Sequence, residues 1–523
     1  MDPTTLYQRR WLTLMVLCAS LMVIGVDNTV LNVALPTLVR SLHASASQLQ
    51  WIVDSYTIVF AGLLLTAGSL GDRFGRKRTL TIGLVIFGTG SLLSGVSGSA
   101  GLLIATRALM GVGGAFIMPA TLSILTNVFV VPGERAKAIG VWAGVSAVGI
   151  AIGPLLGGFL LQHFWWGSVF FVNLPIVAGS LIAGRFLIPD SRDPSAPRLD
   201  PTGASLSIAG LSIVLWAVIE APSHGWSSPS ILVGFVLGAL VLAAFAAWEL
   251  TFSSPMLDLR FFRNPRFTAA SSAITLTFFA LFGSLFLLTQ YLQSVLGYST
   301  LKAGAAILPQ ATAMMIVAPN SPRIVRRIGS KLMVAFGLTM VGATLALFTT
   351  FDPHSSFLHV LLVGVVLGVG MGSIMAPATE SIMGSLPRAK AGVGSAVNDT
   401  TRQVGGAVGV AVLGSILASR YSAAMASALR GVAVPAAVRD SVGRALAISH
   451  TLPPQTAAIV ANAAKASYSS ALHTAVMVGA VIAWVGAIEV LAFLPARSRG
   501  DEPVSEPEAL TDPLPPELVA VPE

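Results

Sequence analysis

The sequence predicts an all-α integral membrane protein with fourteen transmembrane helices, grouped six, two and six. Three observations predict it. The composition is too apolar and too poor in charge for a soluble chain. Its apolar residues fall into blocks long enough to span a bilayer. A short basic loop centred on glycine occurs twice, after the second block and after the tenth.

Of the 523 residues, 54% are hydrophobic and 10% are charged, against about 25% charged in an ordinary soluble domain. A helix needs roughly 20 apolar residues to cross the hydrocarbon core. Blocks of that kind occupy about 11–35, 50–70, 79–97, 101–125, 138–161, 167–188, 203–220, 230–250, 268–290, 303–321, 331–350, 357–379, 392–418 and 471–494. Arg9-Arg10 and Cys18 superficially resemble export-signal features. The first block runs from Trp11 to Leu35, however, too long for a cleaved signal core.

A net charge of +8 raises the question of nucleic acid. The basic residues answer it by their placement, since they cluster in short loops between apolar blocks. No nucleic-acid partner is expected. Most of the 31 Lys and Arg fall on the side of the termini, including Arg9, Arg10, Arg73, Arg76, Lys77, Arg78, Arg260, Arg263, Arg326 and Arg327. Basic loops stay inside, so both termini are expected in the cytoplasm.

The single cysteine, Cys18, excludes an intrachain disulfide and any cysteine-based metal cluster. No metal-ligand spacing and no phosphate-cradling Gly-x-x-x-x-Gly-Lys-Ser/Thr loop occurs. The sequence therefore gives no cofactor, no metal and no ATP-driven pump. It shows no intramembrane catalytic cluster and no soluble domain, so an enzyme or a receptor is disfavoured.

The expected organisation is a cytoplasmic N-terminus (1–10), a six-helix half (11–188), an inserted helix pair with a cytoplasmic linker (189–266) and a second six-helix half (267–495). The second half contains a long Ala-rich loop, 419–470, which reads equally as short amphipathic helices or as disorder. The tail 496–523 is rich in Pro and Glu and reads as disordered. The halves are related by the repeated loop. Aligning Gly75 with Gly329 also matches Arg73 with Arg327 and Lys77 with Lys331.

Several stretches carry chemistry that a lipid-facing helix does not need. Gly68-Ser69-Leu70-Gly71-Asp72-Arg73-Phe74-Gly75-Arg76-Lys77 combines turn-permitting glycines with an acid and several bases. Asp72, Arg73, Gly75 and Arg76 make a candidate cytoplasmic gate rather than a bare topology anchor. Arg107 lies inside the fourth block, where a charge costs about 2.5–3.5 kcal/mol or more unless it faces a polar interior. Gly149, Gly153, Pro154, Gly157 and Gly158 put small residues at intervals of four around a helix-kinking proline. Asp27 sits within the first block, in Val26-Asp27-Asn28-Thr29-Val30-Leu31-Asn32, where an unpaired carboxylate is expensive.

Asp54 follows Trp51 near the start of the second block, placed either to hold a proton or cation or to be solvated; Trp51 and Tyr56 read as interfacial anchors. Asp399 and Arg402 are three apart and share a helix face, as a local pair or a gating pair. Glu220, Glu249 and Glu380 lie near block ends and read as solvated.

These stretches together resemble the major facilitator superfamily, and within it the fourteen-span drug–proton antiporters that include multidrug and quaternary-ammonium exporters. The loop around Gly75 is similar to the superfamily's signature loop. The stretch around Arg107 is similar to the arginine motif that the family associates with proton transfer. Gly149–Gly158 is similar to the antiporter motif, and the stretches around Asp27, Asp54 and Asp399 resemble family motifs in the first, second and thirteenth spans. The resemblance covers residues 11–494. It implies a proton-coupled antiporter in the inner membrane that exports lipophilic or cationic drug-like molecules by alternating access. Its partners would be the small-molecule substrate, protons and the lipid bilayer, and it would act as a monomer. Asp27, Arg107 and Asp54 would couple proton to cargo. A neutral secondary metabolite is the alternative cargo.

Overall fold

The computed structural model describes residues 3–129, 131–192, 200–252, 255, 257–385 and 391–495. Some helical positions within these ranges, Asp72 among them, are described for the backbone alone. The tail 496–523 lies outside the described residues.

The chain forms α1 (Pro3–Leu42), α2 (Ala46–Phe74), α3 (Arg76–Gly95), α4 (Ala100–Val128), α5 (Pro132–His163), α6 (Ser168–Phe171), α7 (Asn173–Leu187), α8 (Pro201–His224) and α9 (Pro229–Thr251). It continues through α10 (Pro265–Gln290), α11 (Thr300–Ala305), α12 (Leu308–Ile328), α13 (Ser330–Leu347), α14 (Phe357–Gly384), α15 (Ala391–Ala428), α16 (Val442–Ser449) and α17 (Pro454–Phe493). Eleven segments among the described residues are long and apolar enough to cross a membrane. There α6 and α7 count as one span, as do α11 and most of α12. The other long helices, α2, α3 and α5, run 29, 20 and 32 residues. With these three the bundle has the fourteen long helices expected, and the fold is the all-helical one.

Helices α1–α7 pack on one another, and α10 and α12–α17 pack on one another, while the short α11, which the chain places in the second group, lies against α5. The sharpest sign of a repeat is at the α2/α3 and α12/α13 junctions. Each is a single glycine with positive φ, 114° at Gly75 and 84° at Gly329. Each glycine N–H closes the preceding helix, Gly75 on the Gly71 carbonyl and Gly329 on that of Val325. A β-carbon is disfavoured at such φ, so the same residue performs the same reversal twice.

The hairpin of α8 and α9 lies outside both groups. Ile58 of α2, Leu215 and Ile219 of α8, and Ala407 and Ala411 of α15 form one buried cluster. Helix α8 is thus wedged where a helix of the first group meets a helix of the second. Helix α9 packs mainly on α8 and exposes Leu232, Val233, Val236, Leu237 and Leu240, a face suited to lipid.

Three expectations need correction. Glu249 is buried rather than solvated: its carboxylate accepts from the Leu257 N–H at 2.9 Å. A Cβ built on Gly203 would lie 2.5 Å from both the Glu249 and the Asp200 carboxylates, and Trp248 Nε1 donates to Asp200 Oδ1 at 2.9 Å, which pins the end of α9 to the cap of α8. The segment 419–470, read equally as helix or disorder, is largely helical, and it is the bounds of the flanking helices that change. Helix α15 runs on to Ala428 and α17 begins at Pro454, well before the expected 471, because Val460, Ala464 and Tyr468 find buried positions. Helix α1 begins at Pro3 instead of residue 11, and Arg10 in that extension grips Glu134 at the start of α5 through two bonds of 2.9 Å.

Candidate functional site

Asp27 and Arg107 meet in the interior of the first group. Arg107 Nη1 lies 2.6 Å from Asp27 Oδ2, with the two side chains 2% and 0% exposed for Arg107 and Asp27. Arg107 therefore points into the polar interior and not toward the membrane interface. Arg107 Nε donates to the Ile52 carbonyl at 3.1 Å, and the guanidinium lies 4.4 Å from the centre of the Tyr56 ring. On the other side Asn173 Nδ2 reaches Asp27 Oδ1 at 3.4 Å and Ser91 Oγ at 3.0 Å. A buried ion pair holds only where its remaining hydrogen-bonding capacity is met. Here side chains and backbone from α1, α2, α3, α4 and α7 supply it.

A small cavity opens beside this pair. Asn28, Leu31, Asn32, Val53, Thr57 and Arg107 wall one side, and Phe282 of α10 and Gly406 of α15 wall the other. Arg107 thus touches both its carboxylate partner and a space shared by the two helical groups. Asn32 Nδ2 donates to the Asn28 carbonyl, while its Oδ1 is buried with no hydrogen-bond partner among the described residues.

Asp54 is buried two turns inside α2, so the solvated alternative fails. It is 0% exposed, and neither carboxylate oxygen has a hydrogen-bond partner among the described residues. Its neighbour Ser55 donates to the Ile104 carbonyl of α4, which fixes the face that α2 presents. Asp399 and Arg402 do meet on α15, at 3.8 Å and partly exposed. The Arg402 guanidinium also lies 5.6 Å from the Phe278 ring of α10.

The glycines of α5 serve two faces. A Cβ on Gly149 would lie 3.1 Å from the Met22 carbonyl, and one on Gly157 2.9 Å from that of Val30. One on Gly153 would collide with Thr29 Oγ1. These three let α5 lie directly on α1. The adjoining face meets the other group: a Cβ on Gly158 would lie 2.6 Å from the Thr300 carbonyl, and one on Gly304 would collide with that of Pro154. Thr300 Oγ1 donates to the Gly158 carbonyl at 2.9 Å. Gln293 Nε2 donates to the Val33 carbonyl at 2.8 Å, and Ser415 Oγ to Gln50 Oε1 at 3.2 Å. All three bonds cross between the groups at the bundle end opposite the termini, and that end is closed.

At the other end, the expected gate is tied down within the first group. Arg76 N–H donates to the Ser191 carbonyl at 2.9 Å and Arg76 Nη1 to that of Ser123 at 3.4 Å. Lys77 Nζ donates to the Arg185 carbonyl at 2.9 Å. Arg73 is exposed beside its neighbour Phe74. The Asp72 side chain lies outside the described residues.

Sequence reasoning missed two members of the site. Asn173 is a polar residue at the head of an apolar span and could have been suspected on that ground. Tyr56, read as an interfacial anchor, is instead 0% exposed under Arg107; its i, i+4 spacing from Phe60, with which it stacks at 5.6 Å between ring centres, was the available signal.

Comparison with known proteins agrees with this architecture. The family model described as Major Facilitator Superfamily matches residues 17–410. The chain is 36% identical to the multidrug efflux pump LfrA of Mycolicibacterium smegmatis, covering 93% of this chain and 96% of that one. It is 32% identical to the tetracenomycin C resistance and export protein of Streptomyces glaucescens, covering 95% and 94%. With the methyl viologen resistance protein SmvA of Salmonella typhimurium it shares 33% identity over 88% and 93%. Among solved structures, a bacterial homologue of the human lysosomal transporter Spinster, inward-facing and unoccupied, superposes with a TM-score of 0.61 at 17% identity, covering 93% of this chain and 98% of that one. With a fourteen-helix bundle, a buried ion pair beside a cavity shared by two helical groups, and full-length relatives that are efflux pumps, the chain belongs to the Major Facilitator Superfamily, as a multi-pass membrane transporter of the multidrug efflux kind and not an enzyme.

Proposed function

We propose that the protein exports lipophilic, often cationic, drug-like molecules from the cytoplasm in exchange for protons, with both termini cytoplasmic. The observation that carries this reading is the Asp27–Arg107 pair on the wall of a cavity walled by both groups. A carboxylate that can hold a proton, a cation or its arginine, but not all three well, makes their binding mutually exclusive. Exchange needs that exclusion. Residues 11–188 and 267–495 would act as two halves rocking about the cavity, with 189–266 as the inserted pair and linker.

In this scheme Asp54 is a second proton-accepting carboxyl, and Asp72, Arg73, Gly75 and Arg76 latch the cytoplasmic end. The glycines and Pro154 of α5 form the outer seal, and Asp399 with Arg402 helps to gate the second half. One charge crossing 100 mV supplies about 2.3 kcal/mol before any pH difference is counted. The likeness to LfrA, a multidrug efflux pump, and to SmvA, a methyl viologen resistance protein, supports drug and cationic cargo. That to the tetracenomycin C exporter supports a second reading, in which the cargo is one antibiotic made as a secondary metabolite.

The test is ethidium accumulation in cells expressing the wild type or Asp27→Asn, each with and without a protonophore. Low accumulation is expected only in the energised wild type. Equal accumulation in all four conditions would sink cationic export.

A further inference from the structure

The central cavity is not the last space on the route. A second one lies nearer the end opposite the termini and is lined by Leu49, Gln50, Phe286, Gln290, Tyr421 and Asp440, among others. The same three helices wall both spaces. Helix α2 gives Val53 and Thr57 to the first and Leu49 and Gln50 to the second; α10 gives Phe282, then Phe286 and Gln290; α15 gives Gly406, then Gly414 and Tyr421. Each four-residue step along a helix advances about 6 Å, so the second space is the next compartment along the seam between the groups.

Its roof is the segment between α15 and α17. That segment is anchored on its own group through Tyr421, whose hydroxyl donates to the Val438 carbonyl at 3.2 Å, and by buried Val438, Val442 and Ala445. It reaches the first group through α16. Arg444 is paired with Asp440, and its Nη2 donates to the His43 carbonyl at 2.8 Å. His43 holds that carbonyl in the α1–α2 turn with a φ of 51°. Gly443 faces Val39 of α1 so closely that a Cβ on it would lie 3.3 Å from the Val39 Cβ.

We propose that this segment is a hinged roof over an exit chamber, a second holding site for the exported lipophilic cation after it leaves the central cavity. The chamber offers what such a cargo needs: the rings of Phe286 and Tyr421, amide oxygens of Gln50 and Gln290, and the Asp440 carboxylate in the roof itself. Asp440 is held by Arg444 while the roof is down. Lifting the roof breaks the bond from Arg444 to His43, so the chamber opens outward as the two groups part. The identity of the cargo rests on the export reading above; the movement of the roof does not.

The natural chain carries only Cys18, so a Cys18→Ser background suits thiol chemistry. Val39→Cys with Gly443→Cys places two Cβ atoms close to the roughly 3.5–4.5 Å of a disulfide. Oxidation is expected to stop ethidium export, and dithiothreitol to restore it to within about twofold of the untreated variant. Export that continues with the roof cross-linked overturns the proposal.

A second arm needs no cargo. Leu49→Cys alone should react with a membrane-impermeant maleimide added outside. It should react about tenfold more slowly when the oxidised bridge between positions 39 and 443 is also present. Equal labelling overturns the roof. If the reduced variant and the wild type both fail to export ethidium, the export reading falls while the labelling arm still decides the roof. Finally, Asp440→Asn should slow export of methyl viologen, a dication, several-fold more than that of ethidium. Equal slowing assigns Asp440 to holding Arg444 alone and removes the chamber's role as a cation site.

Discussion

Thr300 Oγ1 bonds to the Gly158 carbonyl at 2.9 Å, and that contact joins α11 to α5 across the boundary between the two helical groups. A side chain at Gly158 would strike the Thr300 carbonyl and the Leu301 Cα at 2.6 and 2.7 Å. Both are backbone atoms and cannot rotate away. Gly158→Val is therefore expected to insert and fold but to lose at least about tenfold in ethidium efflux. Thr300→Val removes one hydrogen bond, worth about 0.5–1.5 kcal/mol, and should cost only about threefold. Equal effects of the two would mean that packing is not what closes this end.

The Asp27–Arg107 pair predicts a non-additive pattern of stability. Removing one partner leaves the other buried and unpaired, a loss of about 3–5 kcal/mol in soluble precedents. Asp27→Asn and Arg107→Met should each lower the melting temperature in detergent. The double variant should recover most of the loss while remaining inactive. Additive losses would show that the two groups do not depend on each other.

Asp54 has no hydrogen bond to lose among the described residues, so its replacement should separate stability from transport. Asp54→Asn is expected to melt close to the wild type. It should also lose about tenfold in efflux at neutral pH, with Asp54→Glu retaining part. Wild-type efflux by Asp54→Asn across a pH series would remove it from proton coupling.

Gly203 is tested by the smallest change available. Its Cβ would press between the Asp200 and Glu249 carboxylates, and overpacking of this kind costs about 1–3 kcal/mol. Gly203→Ala should lower the yield and melting temperature of the purified protein, with efflux per folded molecule preserved. Loss of efflux at normal stability would instead tie the α8–α9 hairpin to the transport cycle.

Much of this was legible because membrane burial makes polar residues conspicuous. Asp27 and Arg107 stand out in apolar runs, and the structure pairs them across 80 positions of sequence. Gly75 and Gly329 were found by alignment, and their backbone angles give the reason for the likeness. What stayed illegible depended on long-range packing. Tyr56 looks the same in sequence whether it meets a headgroup or a guanidinium. Glu249 read as solvated because its burial depends on Asp200 and Leu257, which reach it only after α8 and α9 fold back together. The Ala-rich stretch 419–470 gave no strong period, and its helices are fixed by contacts such as Tyr421 with Val438 and Gly443 with Val39.

Because α8 rests on Ile58 from one side and on Ala407 and Ala411 from the other, it cannot travel with both when α2 and α15 separate. It must slip along one of them. The alanines offer a low-relief track, whereas Gly62 admits the Ile208 side chain like a keyhole, leaving no room for a Cβ of its own. The hairpin is therefore expected to ride with α2 and glide over α15, and acyl chains will be the first molecules to wet the strip it uncovers.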